Sequence, residues 1–421
     1  MLLTIKHQEL SIINRIPRYS LYALLIFAPL ARASVQGWAV STMHMVTLIG
    51  LTAFLVERSI AWEWKWIKTP LDRPFMALLV LCTLSSVFSL HKQTSLWSTI
   101  LLLNYLAVFY LTIHIFRTRS RLRKLVYFII GVAAFLSIFG LFKYFGTNPF
   151  PWWDYIDIPQ SAERLTATFG NPDHLAGYMG MILPLILGLF LLGFERGKMF
   201  FLIYLSVLIL AALILSLSRG AWFGSITGLA LMAAYLLFDR HFKRKGLVLA
   251  IIGVTLTVAF IVLSTTPVVE RILTLTERAP ESNLHSRMMV WDGTVRMIEN
   301  HPLLGTGPGT FAFAYTEFQP PGLNRHYTMA HNDYLHFISE TGLPLIAVII
   351  WMGLALYRKG FKKLKNPSRL VRGITLGAMS GITAILVHSV GDFNLHIPAN
   401  ALLFTVLAAI VAAPLPITDS R

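Results

Sequence analysis

Residues 239–264 read DRHFKRKGLVLAIIGVTLTVAFIVLS, a short basic loop followed by a long run without a single charged residue. A bilayer core of about 30 Å is crossed by about 20 apolar helical residues, so residues 246–264 predict a transmembrane helix. The composition agrees, because 55% of the 421 residues are hydrophobic and only 13% are charged. Such a chain cannot present a water-soluble surface, and we expect lipid to be its solvent.

Comparable runs elsewhere in the chain predict an all-α polytopic membrane protein with about twelve transmembrane helices. The runs lie near residues 20–37, 41–56, 74–90, 96–116, 125–145, 174–194, 199–217, 220–238, 246–264, 342–357, 373–390 and 397–413. The first run lacks the small-residue pattern of a signal-peptide cleavage site and is expected to be retained. No internal repeat divides the chain, so residues 1–421 are expected to form a single membrane-embedded domain.

Three strongly basic loops set the predicted orientation: residues 117–124 (RTRSRLRK), 239–245 (DRHFKRK) and 358–372 (RKGFKKLKNPSRLVR). Counting spans places all three on one side, which the positive-inside rule assigns to the cytoplasm. Both termini then lie in the cytoplasm, and residues 265–341 form a large outward loop between the ninth and tenth helices. The formal charge of +16 therefore reports membrane orientation and does not indicate a nucleic-acid partner. The single cysteine, Cys82, leaves no disulfide framework to consider.

The outward loop is too long to be a simple connector and is expected to be structured. Its first part places Leu284, Met288, Trp291, Val295 and Ile298 on one helical stripe, capped by Ser282 or Asn283. Arg287 borders this stripe and Arg296 points away from it. An arginine at the edge of a membrane-facing stripe lies at the depth of lipid phosphates, although a snorkelling arginine has the same placement.

The next segment, HPLLGTGPGTF (301–311), contains three glycines whose neighbouring backbone amides can converge on an anion. It is not a P-loop, since no Lys-Ser/Thr pair follows and no helical pattern is expected to open directly after it. A tight turn is the favoured interpretation.

The segment AHNDYLHFISETG (330–342) is the most polar helix entry in the chain. Asp333, His336 and Glu340 share one helical face, with His331 and Asn332 at the first turn. A histidine that is neutral near pH 7 is suited to deprotonate a hydroxyl. Metal ligation by His336 with Glu340 is the alternative, weakened because His331 and His336 diverge on a helix.

Three further outward segments carry polar residues. SLSRGAW (216–222) fixes Arg219 in a very short hairpin, where it could grip a phosphate with two hydrogen bonds. RLTATFGNPDHLAGYM (164–179) contains Arg164 and places His174 at a helix start. HSVGDFNLHIPANALLF (388–404) places four polar residues near the same surface, either in a site or in a structural polar network: His388, Asp392, Asn394 and His396.

Five segments together resemble the O-antigen ligase and polymerase family of membrane glycan transferases. They are TATFGNPDHLAGYM, LSLSRGAW, SRMMVWDGTVRMIENHPLLGTGPGTF, AHNDYLHFISETGLP and GDFNLHIPANALLF, and they span roughly residues 164–405. The resemblance implies a GT-C-type, inverting, metal-independent glycosyltransferase without a cofactor, acting on the periplasmic face of the bacterial inner membrane. It implies a polyprenyl-diphosphate-linked glycan as donor, His331 as catalytic base, and Arg219 and Arg287 as diphosphate ligands. Supporting roles are expected for Asn332, Asp333, His336, Glu340, Arg164, His174 and Asp392.

The acceptor is open at this stage. A ligase with lipid A-core as acceptor is favoured over a repeat-unit polymerase or a protein O-oligosaccharyltransferase. A lipid or sugar transporter is the alternative from a different class, and a structural scaffold is a weaker one. A transporter predicts charged residues in mid-span and paired repeats, neither of which the sequence displays clearly.

Overall fold

The computed structural model describes residues 13–62, 64–150, 164–193, 196–238, 242, 245–265, 283–323 and 325–417. Within these ranges the protein is all-helical, and its only extended pairing is an isolated parallel bridge between Thr118 and Ile417. The helices are α1 Ile16–Leu30, α2 Gly37–Ala61, α3 Asp72–Val87, α4 Lys92–Ile115, α5 Arg119–Tyr144, α6 Pro172–Phe190, α7 Arg196–Leu215, α8 Arg219–Phe238, α9 Lys245–Thr265, α10 Asn283–Asn300, α11 Phe311–Phe318, α12 Asp333–Thr341, α13 Pro344–Leu364, α14 Arg369–His388 and α15 Pro398–Ala412.

Each of the twelve apolar runs coincides with one of these helices. Eight helices in the described part of the chain are long and apolar enough to cross a membrane, so the protein is an integral membrane protein. They are α2, α4, α5, α6, α7, α8, α13 and α14. The count of twelve spans stays a prediction, because α1 and α15, for example, have only 15 residues each. The GT-C class also stays a prediction.

Helices α6 and α14 form the centre of the bundle, and nearly every side chain of α6 is buried. Glycines bring the two backbones into direct contact. A methyl group added at Gly188 would lie 2.3 Å from the carbonyl oxygen of Gly373. On its other face α14 approaches α8 in the same way, because a methyl group at Gly228 would lie 2.4 Å from the Ser380 carbonyl oxygen. Small residues that permit close approach are typical of helix packing in membranes.

The segments predicted to face outward meet at one end of the bundle. The turn between α3 and α4 joins residues 301–311 through a hydrogen bond from Leu90 N to Thr306 O of 3.0 Å. The segment before α6 joins the end of α7 through a bond from Leu165 N to Leu215 O of 3.0 Å. The chain therefore collects segments far apart in sequence around one polar end.

Two of the basic loops lie together with the C-terminal segment. Arg119 N donates to Ile417 O at 3.2 Å, and Lys363 Nζ donates to Ile410 O at 2.7 Å. The grouping of loops agrees with the predicted topology, whereas the side that faces the cytoplasm stays a prediction.

Residues 283–341 carry helices α10, α11 and α12, and α10 and α11 share a small core in which Val290 and Met297 pack against Phe311 and Tyr315. The predicted apolar stripe lies along one continuous helix, α10, and its orientation toward lipid stays a prediction. Of its members, Met288 and Val295 are exposed, whereas Ile298 is buried against a second cluster. Helix α10 contacts both α11 and α12. Ser282 lies outside the described residues.

Candidate active site

His331 lies immediately before α12 with a backbone φ of +51°, a left-handed conformation that costs a non-glycine residue about 1–2 kcal/mol. Two contacts hold it there. Asn332 caps α12 by accepting a hydrogen bond from Leu335 N at 3.1 Å, and Asp333 N donates to the backbone oxygens of Ser389 and Asp392. Strain of this kind persists where the surroundings fix it, and it is concentrated at functional sites.

The turn that follows α14 supplies the partner of His331. Asp392 Oδ1 lies 3.9 Å from His331 Nδ1, and the Phe393 ring packs edge-on against the imidazole with centroids 5.0 Å apart. The carboxylate is buried, whereas 28% of the His331 side chain is exposed. The distance is too long for a hydrogen bond, but catalytic hydrogen bonds are often long before substrate binds. His331 is therefore placed as an accessible imidazole backed by a buried anion.

Asp392 is held in its ionised form by its neighbours. Burial alone would raise the pKa of this carboxyl, but His331, His174, His388 and Arg287 together hold the pKa well below its usual range. Asp392 also accepts a hydrogen bond from Phe393 N at 2.9 Å. A permanent negative charge thus lies behind the histidine.

Arg287 reaches the same turn from α10. Its Nη1 donates to the backbone oxygen of Gly391 at 2.7 Å, and the side chain is half-buried. Arg296, on the same helix, is exposed and pairs with Asp292 at 2.6 Å. Of these two arginines, only Arg287 lies at the polar end, next to Asp392.

Arg219 is the first residue of α8 and is exposed. The hairpin before it is tightly bonded, since Ser218 Oγ accepts from Ala221 N and Trp222 Nε1 donates to Leu213 O at 3.2 Å. The next residue, Gly220, lies directly against the His388 ring. Arg219 is therefore anchored close to the turn that carries Asp392.

Arg164 and His174 surround this arrangement. The guanidinium of Arg164 donates to Ser216 O and to Asp173 Oδ1, both at 2.7 Å, so it ties the Arg219 hairpin to the start of α6. His174 is buried, and its ring packs edge-on against Phe393 with centroids 4.9 Å apart. The His174 contact supports the turn from a buried position, whereas Arg164 is partly exposed and braces the neighbouring hairpin.

The glycine-rich segment, residues 301–311, binds a side chain of the protein itself and not a substrate phosphate. Its three glycines have positive φ, and the amides of Gly309 and Phe311 donate to Glu340 at 2.8 and 3.0 Å. Helix α11 begins directly at Phe311, so the expectation that no helix opens after the turn is wrong. The amides do converge on an anion, but the anion is a carboxylate of the chain itself.

Asp333, His336 and Glu340 are buried on the inner face of α12. Burial lowers the pKa of His336, and the neighbouring His396 lowers it further. Burial raises the pKa of Glu340, but the two histidines and the Gly309 amide outweigh it and leave the pKa lowered. A neutral histidine therefore pairs with an ionised glutamate, with His336 Nε2 3.2 Å from Glu340 Oε1.

His336, Glu340 and His396 could together hold a metal, since one ligand atom from each lies within 4.8 Å of the others. The hydrogen bonds fit this interpretation poorly. His336 Nδ1 accepts from Ala330 N at 3.3 Å, which places the ring proton on Nε2, the nitrogen that faces Glu340. A neutral histidine binds metal through an unprotonated nitrogen, so the cluster is better suited to a hydrogen-bonded network.

The structure thus brings His331, Arg287, Asp392 and the Arg219 hairpin together, whereas Asp333, His336 and Glu340 lie in a separate buried network. Sequence reasoning placed His388 near Asp392 but gave it no role, and it did not identify Phe393 or the Gly391 carbonyl oxygen.

Residues 204–350 match the family model described as O-antigen ligase. The match covers about a third of the chain and includes His331, Arg219 and Arg287, but it ends before Asp392. A search of curated proteins found no match. The resemblance to the O-antigen ligase family is confirmed over the matched segment, and the apolar helices make the chain an integral membrane protein.

Proposed function

We propose that this protein transfers a glycan from a polyprenyl-diphosphate donor to an acceptor hydroxyl, with lipid A-core as the acceptor. The observation that carries the proposal is the convergence of His331, Arg287 and the Arg219 hairpin on the turn at residues 388–393. All three predicted residues lie inside the segment that matches the O-antigen ligase family.

His331 is proposed as the general base. Its Nδ1 faces Asp392, which leaves Nε2 to accept the proton of the acceptor hydroxyl. As the imidazolium forms, the buried carboxylate 3.9 Å away stabilises its charge. General-base catalysis by a positioned side chain contributes about 10²- to 10⁴-fold.

The arginines are proposed to bind the leaving group. The acceptor oxygen forms a bond to the anomeric carbon while the bond from that carbon to the diphosphate oxygen breaks on the opposite face, which inverts the configuration. The electron pair leaves with the diphosphate, whose developing charge Arg219 and Arg287 stabilise as planar, permanently charged donors. A diphosphate is already a good leaving group, so this scheme uses no divalent ion.

The proposed orientation follows from the basic loops. Residues 117–124 and 358–372 lie at the end of the bundle opposite the polar cluster, and the positive-inside rule places them in the cytoplasm of the inner membrane. The active site then faces the periplasm, where lipid-linked glycans are presented.

The test is transfer of label from a polyprenyl-diphosphate glycan by the purified full-length protein, with wild type and His331→Ala compared in EDTA. Label on lipid A-core from wild type alone supports a ligase, whereas a longer glycan chain identifies a polymerase and label on protein identifies a protein-directed transferase. Equal transfer by both proteins overturns the role of His331. Transport of the donor across vesicles without transfer to any acceptor overturns the enzyme assignment in favour of a transporter.

A further inference from the structure

His388 is the last residue of α14, and it shares the Asp392 carboxylate with His331. Its Nε2 lies 3.6 Å from Asp392 Oδ2, while Oδ1 faces His331. The carboxylate therefore lies between two histidines, one accessible and one almost fully buried. Each histidine lies within ion-pair distance of one carboxylate oxygen, so both can act on the charge and orientation of Asp392.

The other side of the His388 ring contacts the start of α8. A methyl group added at Gly220 would lie 2.7 Å from His388 Cδ2 and 3.0 Å from Nε2. One turn further, a methyl group at Gly224 would lie 3.2 Å from His388 Cβ. The imidazole is thus confined between the residue that follows Arg219 and the carboxylate that faces His331.

The charged groups around His388 come from four other segments. Asp392 lies on the turn, Asp173 on α6, Asp333 on α12 and Arg287 on α10, and all four act on it electrostatically. Among the described residues, His388 Nδ1 is buried without a hydrogen-bond partner. Only its Nε2 therefore has a polar contact, and that contact is Asp392.

We propose that His388 is a positioning residue that fixes Asp392 toward His331 and couples the Arg219 segment to the base. The inference rests on the proposed function, since it assigns His388 to the same reaction. The alternative is that His388 only fills space in the bundle core, in which case the polar contacts of its ring nitrogens have no role. The positioning and space-filling hypotheses predict different effects of a substitution that keeps the ring volume on the pH dependence of transfer.

The first test compares His388→Phe, which keeps the ring volume, with His388→Gln, which keeps a hydrogen-bond donor near Asp392. For the purified full-length protein, we expect His388→Phe to lower kcat about tenfold, a part of the total contribution of a general base, with the KM for donor little changed. The acidic limb of the pH profile of kcat should move to lower pH, because a less well placed Asp392 carboxylate stabilises the protonated His331 less. His388→Gln should recover part of kcat and of the limb position.

The second test uses two glycines of α8 that both approach α14 closely. Gly220→Ala pushes on the His388 ring, whereas Gly228→Ala, the matched control, pushes on the backbone at Ser380 away from the site. We expect Gly220→Ala to lower kcat several-fold more than Gly228→Ala at comparable losses of Tm. Equal losses of kcat overturn the coupling to α8.

If His388→Phe has the same kcat as wild type and the same acidic limb in its pH profile, the positioning role is overturned. That result is distinguishable from failure of the proposed function, because the same experiment includes wild type and His331→Ala. If His331→Ala is inactive while His388→Phe is normal, only the inference about His388 fails. If wild type transfers no glycan, the proposed function fails first.

Discussion

Glu340 Oε2 accepts a hydrogen bond from Gly309 N at 2.8 Å, so the last turn of α12 is fastened to the glycine-rich segment before α11. The other carboxylate oxygen accepts from Phe311 N at 3.0 Å. Hydrogen bonds from backbone amides to a carboxylate are about twice as strong as neutral ones. Because α12 begins two residues after His331, this contact contributes to the position of the proposed base.

We therefore expect Glu340→Gln to lower the stability of the protein. The substitution removes the charge and turns an NH₂ group toward one of the two amides, so it should cost about 1.5–3 kcal/mol per lost charged hydrogen bond. Thermal unfolding of the purified protein in detergent measures the loss as a lower Tm. Glu317→Gln, at an exposed position on α11, is the control and should leave Tm unchanged. Equal Tm values for the two variants would contradict the structural role of Glu340.

Arg219→Ala and Arg287→Ala are expected to raise the KM for the lipid-linked donor and to lower kcat, because each removes a planar cation that binds the diphosphate and stabilises its developing charge. The corresponding lysine variants should be poor substitutes, since a point charge cannot make two parallel hydrogen bonds to a phosphate. Arg296→Ala is the matched control, because Arg296 is exposed on the same helix as Arg287 and pairs with Asp292. Full rescue by lysine at both positions would count against bidentate binding.

Asp392→Asn should retain the shape of the turn while removing the negative charge behind His331. We expect kcat to fall about 10²-fold, within the range of general-base catalysis, with a smaller change in the KM for donor. The acidic limb of the pH profile should move to lower pH, because the imidazolium is no longer stabilised by a neighbouring carboxylate. An unchanged limb with reduced kcat would mean that Asp392 acts on the fold alone.

The helices could be predicted from sequence because lipid imposes a simple requirement, a long apolar run with internally satisfied backbone groups. The pairing of His331 with Asp392 could not be predicted from sequence, since they lie 61 positions apart and no local pattern specifies the contact. The same holds for Glu340, whose anion-binding partners lie about 30 residues earlier in the chain.

The pH dependence of stability should reflect His336. Its folded-state pKa is lowered, so the unfolded chain binds the proton more readily, and the stabilisation present above about pH 6.5 is lost as the pH falls below that value. We expect Tm to decrease from about pH 7.5 to about pH 5.5, and to decrease less in His336→Gln, whose neutral amide can both accept and donate in the same place. The difference between the two slopes isolates His336 from the other buried histidines. Identical slopes would exclude it as a source of acid sensitivity.

Removal of divalent ions tests the cluster of His336, Glu340 and His396 directly. Both Glu340 oxygens already accept backbone amides, and His396 Nδ1 is bonded to Asp333 Oδ1 at 2.5 Å. The His336 proton lies on the nitrogen that faces Glu340, so few ligand atoms are left to bind a metal. Transfer in EDTA should therefore equal transfer with added Mg²⁺ or Mn²⁺. His336→Gln should then reduce transfer only as far as it reduces Tm, because the residue supports α12 and does not hold an ion. Activity lost in EDTA and restored by one divalent ion in wild type, but not in His336→Gln, would instead establish a metal centre beneath the base.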